Sequence, residues 1–155
     1  MYKALTDWAG LESSVFGDQA KATSYASMAA KLKEQFNKDA DSGGLWEPKT
    51  GMFAYWRCPD GTVHGDVEHT QINLQAINFG MVDADRARQI LAGIDKGMKR
   101  LHLPMIPQNF KPLAPTTEDW TGDHFTTGLE DGGIYPFMNQ EYMQPPRWWV
   151  SATGR

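Results

Sequence analysis

Cys58 is the only cysteine in 155 residues, so no internal disulfide framework and no thiolate metal site can form. The lone thiol reads as a small hydrophobe, buried or half-buried. Long apolar runs are missing too, and nothing approaches the roughly 20 residues of a membrane-spanning helix. Basic charge is thin and scattered: 15 Lys and Arg stand against 19 Asp and Glu, and the net charge of −4 argues against a polyanionic partner such as nucleic acid. The opening MYKALTDWAGLESS lacks the basic and apolar regions of a signal peptide, so with Met1 as the natural start a cytoplasmic protein is expected. There is no Walker loop, dinucleotide fingerprint or Ser/His/Asp order. His64, His69, His102 and His124 do not share metal-ligand spacing, even in the run HGDVEH, and neither metal nor redox cofactor is expected.

What the chain does have is aromatic side chains in polar surroundings. Six tryptophans are present, and several lie beside glycines and acids instead of in periodic apolar runs. The densest stretch is residues 121–142, TGDHFTTGLEDGGIYPFMNQEY. It sets Asp123, His124, Glu130, Asp131 and Glu141 among four glycines, with Phe125, Tyr135, Phe137 and Tyr142 interleaved. Carboxylates bind hydroxyls or transfer protons, aromatic rings offer flat faces to pyranose C–H groups, and glycines let backbone approach a ligand.

Leu5, Trp8 and Leu11 predict a short helix interrupted by Gly10 and Gly17. Tyr25, Met28, Ala29, Leu32 and Phe36 fall on one stripe, predicting an amphipathic helix from residue 24 to near Asp39. Residues 51–58 predict an aromatic strand, Pro59-Asp60-Gly61 a turn and residues 62–64 the return, making one hairpin between helices. Alternation puts Phe53 and Tyr55 on one side and Met52, Ala54 and Trp56 on the other, so both sides require cover from protein or ligand. Residues 68–80 predict a helix with Gly80 as its C-terminal cap. Asp83 starts a second, with Ala87, Ile90, Leu91, Ile94 and Met98 as its stripe. Together they predict an αα-hairpin, the unit of helical toroids and solenoids. Residues 103–120 carry four prolines and no periodicity and predict an extended loop, and residues 134–143 a short helix.

The run Gly51-Met-Phe-Ala-Tyr-Trp, the turn Asp60-Gly61, the pair Asn73-Leu-Gln-Ala-Ile-Asn-Phe-Gly80-Met-Val-Asp83 with Ala87-Arg-Gln-Ile-Leu91, and Asp131-Gly-Gly-Ile-Tyr135-Pro resemble the six-hairpin glycosidases. These are glycoside hydrolases and related phosphorylases whose catalytic domain is an α/α toroid of six helical hairpins. The similarity covers residues 24–143; where many relatives carry Asn before the glycine pair, this chain has Asp131. The resemblance implies a mainly α fold, part of an α/α toroid with a small β-hairpin insertion, in a single domain over residues 1–155. Twelve helices of about 11–12 residues with their loops exceed this length, so the chain corresponds to a segment of such a toroid. Helix faces left uncovered by the remainder of the polypeptide imply exposed apolar patches or self-association.

The resemblance further implies hydrolysis of glycosidic bonds, with a carbohydrate substrate as partner and carboxylates as acid and base. In the inverting form the two carboxyls stand about 6.5–9.5 Å apart. Asp123, Glu130 and Asp131 are the catalytic candidates. Asp66 and Glu68, at the mouth of the helix after the hairpin, are candidate substrate-binding acids, or simply helix N-terminal charges favoured by the macrodipole. Trp46, Trp56, Trp120 and Tyr135 are candidate stacking platforms, although such aromatics more often sit in a core. Trp56 and Trp120 lead because loop acids flank them. The alternative is a non-catalytic carbohydrate-binding or structural helical module. An epimerase-like toroid is a third reading and needs His69 and His124 to project into one cavity.

Overall fold

The computed structural model describes residues 1–64 and 67–111. The described chain is mainly helical, with two small antiparallel hairpins. Its elements are α1 (Tyr2–Leu11), α2 (Gln19–Asn37), β1 (Trp46–Glu47), β2 (Met52–Phe53), β3 (Trp56–Arg57), β4 (Val63–His64), α3 (Thr70–Asn78) and α4 (Ala84–Leu101).

Helix α1 follows the Leu5, Trp8, Leu11 spacing, but Gly10 does not interrupt it. The helix runs on into a wide π-type turn, Glu12–Phe16, and ends at Gly17, whose φ of 70° lies in the left-handed region. Helix α2 begins at Gln19, ahead of the expected start at residue 24. Asp18 sets that start, its carboxylate accepting from the Lys21 N–H at 3.0 Å. Of the stripe, Ala29 is buried and Leu32 and Phe36 pack on the core, whereas Met28 is exposed.

The single expected hairpin is two. The strand reading of residues 51–58 holds at both ends, but the chain changes partner in the middle. Met52 and Phe53 pair with Glu47 and Trp46, and Trp56 and Arg57 pair with His64 and Val63. The switch falls between Ala54, whose N–H donates to the Leu45 carbonyl at 2.7 Å, and Tyr55, whose N–H donates to the His64 carbonyl at 2.8 Å. Both sides of the first hairpin are covered by protein: Met52, Phe53 and Ala54 are all buried. Phe53 meets the Phe36 ring at 4.2 Å and the Trp46 ring at 5.0 Å, and the Arg86 guanidinium lies over Trp46 at 4.2 Å. Trp46 is therefore a core residue and not a sugar platform.

Helices α3 and α4 form the expected pair. Gly80, at φ 72°, closes α3 by the paired bonds of a Schellman motif, Met81 N–H to Ala76 O at 2.9 Å and Gly80 N–H to Ile77 O at 3.0 Å. Asp83 caps α4 by accepting from the Arg86 N–H at 2.8 Å. Ala87, Ile90, Ile94 and Gly97 form its buried face. Two glycines on α4 allow close approach. A Cβ on Gly93 would stand 3.2 Å from the Met52 side chain, and one on Gly97 would stand 2.7 Å from the Phe110 ring. As far as it is described, the proline-rich stretch is packed: Ile106, Pro107, Asn109 and Phe110 are buried. The Phe110 N–H donates to the Val67 carbonyl at 3.2 Å, which brings this stretch back to the start of α3.

A fully buried Asn73 joins hairpin to helix. Its Oδ1 accepts from the Phe53 N–H at 2.7 Å, while its Nδ2 donates to the Phe53 carbonyl at 3.3 Å and the His69 carbonyl at 2.8 Å. Replacing it by Leu leaves the Phe53 groups unpaired in the interior, at about 1–3 kcal/mol for each such group. Asn73→Leu is therefore expected to lower unfolding free energy by about 2–4 kcal/mol in a urea titration. A loss under about 1 kcal/mol would show that other groups satisfy Phe53. Gly97→Ala should gain about 1 kcal/mol of helix propensity and lose up to about 3 by overpacking against Phe110. Its urea midpoint should fall; a rise would mean that the ring moves aside freely.

Candidate functional site

Two side chains, Tyr55 and Trp56, emerge half-buried where the chain passes from one hairpin to the other. Each stacks on a histidine. The Trp56 ring lies 4.1 Å from His64 at an interplanar angle of 15°, and the Tyr55 ring lies 4.3 Å from His69 at 7°. Tyr55 and Trp56 themselves meet edge to face at 4.8 Å, so the four rings are contiguous. His64 ends β4, His69 caps α3, and the connection between them carries Gly65 and Asp66. Arg57 fixes the base of this ledge by donating to the carbonyls of Gly61 at 2.8 Å, Gly44 at 3.0 Å and Ala40. Gly44 is obligatory there, because a Cβ would stand 1.9 Å from the Lys38 carbonyl oxygen.

Of the residues expected at a site, Trp46, Trp56 and Glu68 fall in the described part, and Trp46 belongs to the core. Asp66, Trp120, Asp123, Glu130, Asp131 and Tyr135 lie outside the described residues, as does His124. With one face taken by His64, the Trp56 indole keeps at most its other face for a pyranose. Cys58 is half-buried, its Sγ 3.5 Å from His64 Nε2.

Glu68 sits just before the cap residue of α3, at a φ of 51° that L side chains seldom adopt. The twist turns its buried carboxylate toward Arg100 at 2.9 Å and Lys111 at 3.1 Å. Burial works to raise the carboxyl's pKa, but the hydrogen bonds and charges of the two cations outweigh it and hold the group below the usual carboxylate range. Glu68 is thus kept ionised. It can accept hydrogen bonds, and it is unsuited to donating a proton.

His69 is the opposite case. The ring is buried, and desolvation moves its pKa from an ordinary 6.5 down to about 4. Nδ1 accepts from the Ile72 N–H at 3.4 Å, so the neutral ring carries its proton on Nε2, which stands 3.4 Å from the Gln108 side-chain amide and bonds to it when that amide turns its oxygen toward the ring. Both nitrogens are engaged and one face is stacked. His69 does not project into an open cavity, which weighs against the epimerase-like reading. Among the described residues, no three His, Cys, Asp or Glu side chains converge in a way that could hold a metal ion.

Sequence reasoning did not find Tyr55, Arg100, Lys111 or Gln108 as parts of this region. For Tyr55 the signal was available, since it directly neighbours the expected platform Trp56. Arg100 looked like any cation on the last turn of an amphipathic helix. Searches against protein-family models, curated proteins and solved structures gave no match to this chain.

The His69 shift makes stability pH-dependent. The unfolded chain binds a proton to this histidine below about 6.5 and the folded chain only below about 4, so stability is full above the upper value and is lost as pH falls between them. The loss amounts to roughly 3 kcal/mol. Glu68 adds to the acid instability at lower pH, because its lowered pKa contributes stability above the ordinary carboxylate value that disappears on protonation. In urea titrations from pH 7 to 4, His69→Gln should flatten the decline. An unchanged slope would exclude His69 as its source.

Proposed function

We propose that the chain is a carbohydrate-acting helical module, a segment of a glycoside hydrolase whose α/α toroid is assembled from helical hairpins. The observation that carries this reading is the aromatic ledge of Tyr55 and Trp56 at the N-terminal mouth of the α3–α4 pair, beside the connection that bears Asp66. Aromatic faces next to loop acids are the chemistry a pyranose ring requires. The resemblance of residues 24–143 to six-hairpin glycosidases points to the same class.

In this proposal Asp123, Glu130 and Asp131 supply the acid and the base. One protonated carboxyl gives its proton to the glycosidic oxygen as the bond to the anomeric carbon breaks. A second carboxylate takes a proton from the water that attacks that carbon. The sugar leaves with a new hydroxyl and the two carboxyls have exchanged roles. Asp66 holds hydroxyls, Trp56, Trp120 and Tyr135 provide the flat faces, Glu68 serves the frame through Arg100 and Lys111, and the chemistry requires no cofactor. The second reading, a module that binds carbohydrate without cleaving it, is favoured by one feature: Glu68 is already committed to two cations.

The test is release of reducing ends from a panel of glucosidic and rhamnosidic oligosaccharides by the 155-residue chain, run beside a glycan titration followed by tryptophan fluorescence. Hydrolysis is expected, with Glu130→Gln or Asp131→Asn lowering it by at least about 100-fold. Binding without turnover that weakens in Trp56→Ala supports the second reading. Absence of both binding and turnover, or turnover that survives all three acid substitutions, removes the enzyme proposal.

A further inference from the structure

Helix α1 is apolar on two sides. Tyr2, Leu5, Ala9 and Glu12 are buried or half-buried on the side that packs on α2. On the other side Met1, Ala4, Trp8, Leu11 and Val15 recur at alternating three- and four-residue intervals, the spacing of a helix–helix seam, and all five are exposed. The π-type turn Glu12–Phe16 slips the helical register by about one residue and swings Phe16 onto the same side. Trp8 is 49% exposed, Leu11 42%, Val15 65% and Phe16 62%. A seam of this period specifies a helix as its occupant, and the remaining question is whose helix it is.

We propose that α1 pairs with α1 of a second copy of this chain, forming a two-fold homodimer. Three observations favour a copy. First, the face carries little charge: beyond the ammonium of Met1 at its end, residues 1–16 contain only Lys3, Asp7 and Glu12, of which Lys3 and Asp7 bond each other and Glu12 is buried. In a chain of net charge −4, this is a surface on which two copies meet without like-charge repulsion. Second, the stripe is self-complementary. Laid antiparallel on itself about the midpoint of Trp8 and Leu11, it sets its narrow Ala4 end against its branched Val15 end. Third, the area is of the right scale. At these exposures the four large side chains present about 500 Å² per copy, which with Met1 and a polar rim approaches the roughly 800 Å² per partner of a stable interface. This pairing does not depend on the carbohydrate reading.

Sedimentation equilibrium of the 155-residue chain over about 1–100 μM tests it. The expected result is a concentration-dependent mass that approaches twice 17.4 kDa. Trp8→Glu and Phe16→Glu should each weaken association by at least about tenfold with an unchanged far-UV circular dichroism spectrum. Val15→Glu alters a side chain that already faces solvent, so it should weaken pairing with no prospect of unfolding the protomer. Arg88→Glu, on the solvated side of α4, should leave the mass unaltered. A single-protomer mass at every concentration overturns the proposal, as does a dimer that persists in Val15→Glu. A face that becomes covered only when a different polypeptide is added assigns the seam to that partner and likewise overturns self-pairing.

Discussion

Two-residue strands cannot hold themselves in place, and the side-chain amide of Asn73 acts as the missing third strand. It presents an acceptor and a donor to the peptide groups of Phe53 in the way a neighbouring backbone would, from a position on α3 that never shifts register. A two-stranded ribbon is at best marginal in water. Clamped to a helix it becomes rigid, and the Phe53 ring is then delivered to one place, between Phe36 of α2 and Trp46 of β1. The same amide binds the His69 carbonyl, so the N-terminal end of α3 and the hairpin are set by one residue. The ledge of Tyr55 and Trp56 inherits its position from that clamp, because the two residues lie only two and three positions beyond Phe53.

Around this centre the polar side chains work mainly as staples between elements. Lys33 donates to the Gly80 carbonyl at 2.7 Å, Asn37 to the Met81 carbonyl at 2.8 Å, and Arg86 to the Asn37 side chain at 3.1 Å. The turn between α3 and α4 is therefore tied to the end of α2. Glu68 makes the corresponding tie at the other end of α4, through Arg100 and Lys111. Its cations are half-exposed while its carboxylate is buried, so the Coulombic gain is moderated by water and the desolvation cost is not. Such an arrangement contributes little net stability and much specificity. Removing either cation would be more harmful than replacing the whole set by apolar groups.

The helices were legible where apolar spacing and caps agreed. Asp83 and Gly80 bracket the α3–α4 turn as the sequence reading has it, since a capping carboxylate and a left-handed glycine are local chemistry. The start of α2 was missed because residues 19–23 lack apolar periodicity, although Asp18 held the cap signal. The division of residues 51–58 between two hairpins was not legible: strand propensity is continuous through Ala54 and Tyr55, and only tertiary pairing decides which neighbour each peptide group finds. Gly93 and Gly97 looked like weak points in a helix and are places of close approach. For the candidate site, the importance of Trp56 and Glu68 was readable from their neighbours, whereas the ion partners of Glu68 come from residues 32 and 43 positions away, distances at which sequence carries no signal.

The charge pattern also decides which acids suit which task. A glycosidase needs one carboxyl that keeps its proton near neutral pH and one that loses it. Glu68, between Arg100 and Lys111, can only be of the second kind. A proton donor requires a carboxyl remote from cations and crowded by other acids, since like charge and desolvation both raise its pKa. No Lys or Arg stands between Lys111 and Arg147, and that interval holds Glu118, Asp119, Asp123, Glu130, Asp131 and Glu141. Sequence alone thus separates residues 1–111, where acidic and basic side chains balance, from an acid-rich stretch free of Lys and Arg. If the chain cleaves glycosides, the donor belongs to that stretch, and Glu68 belongs to the frame on which it works.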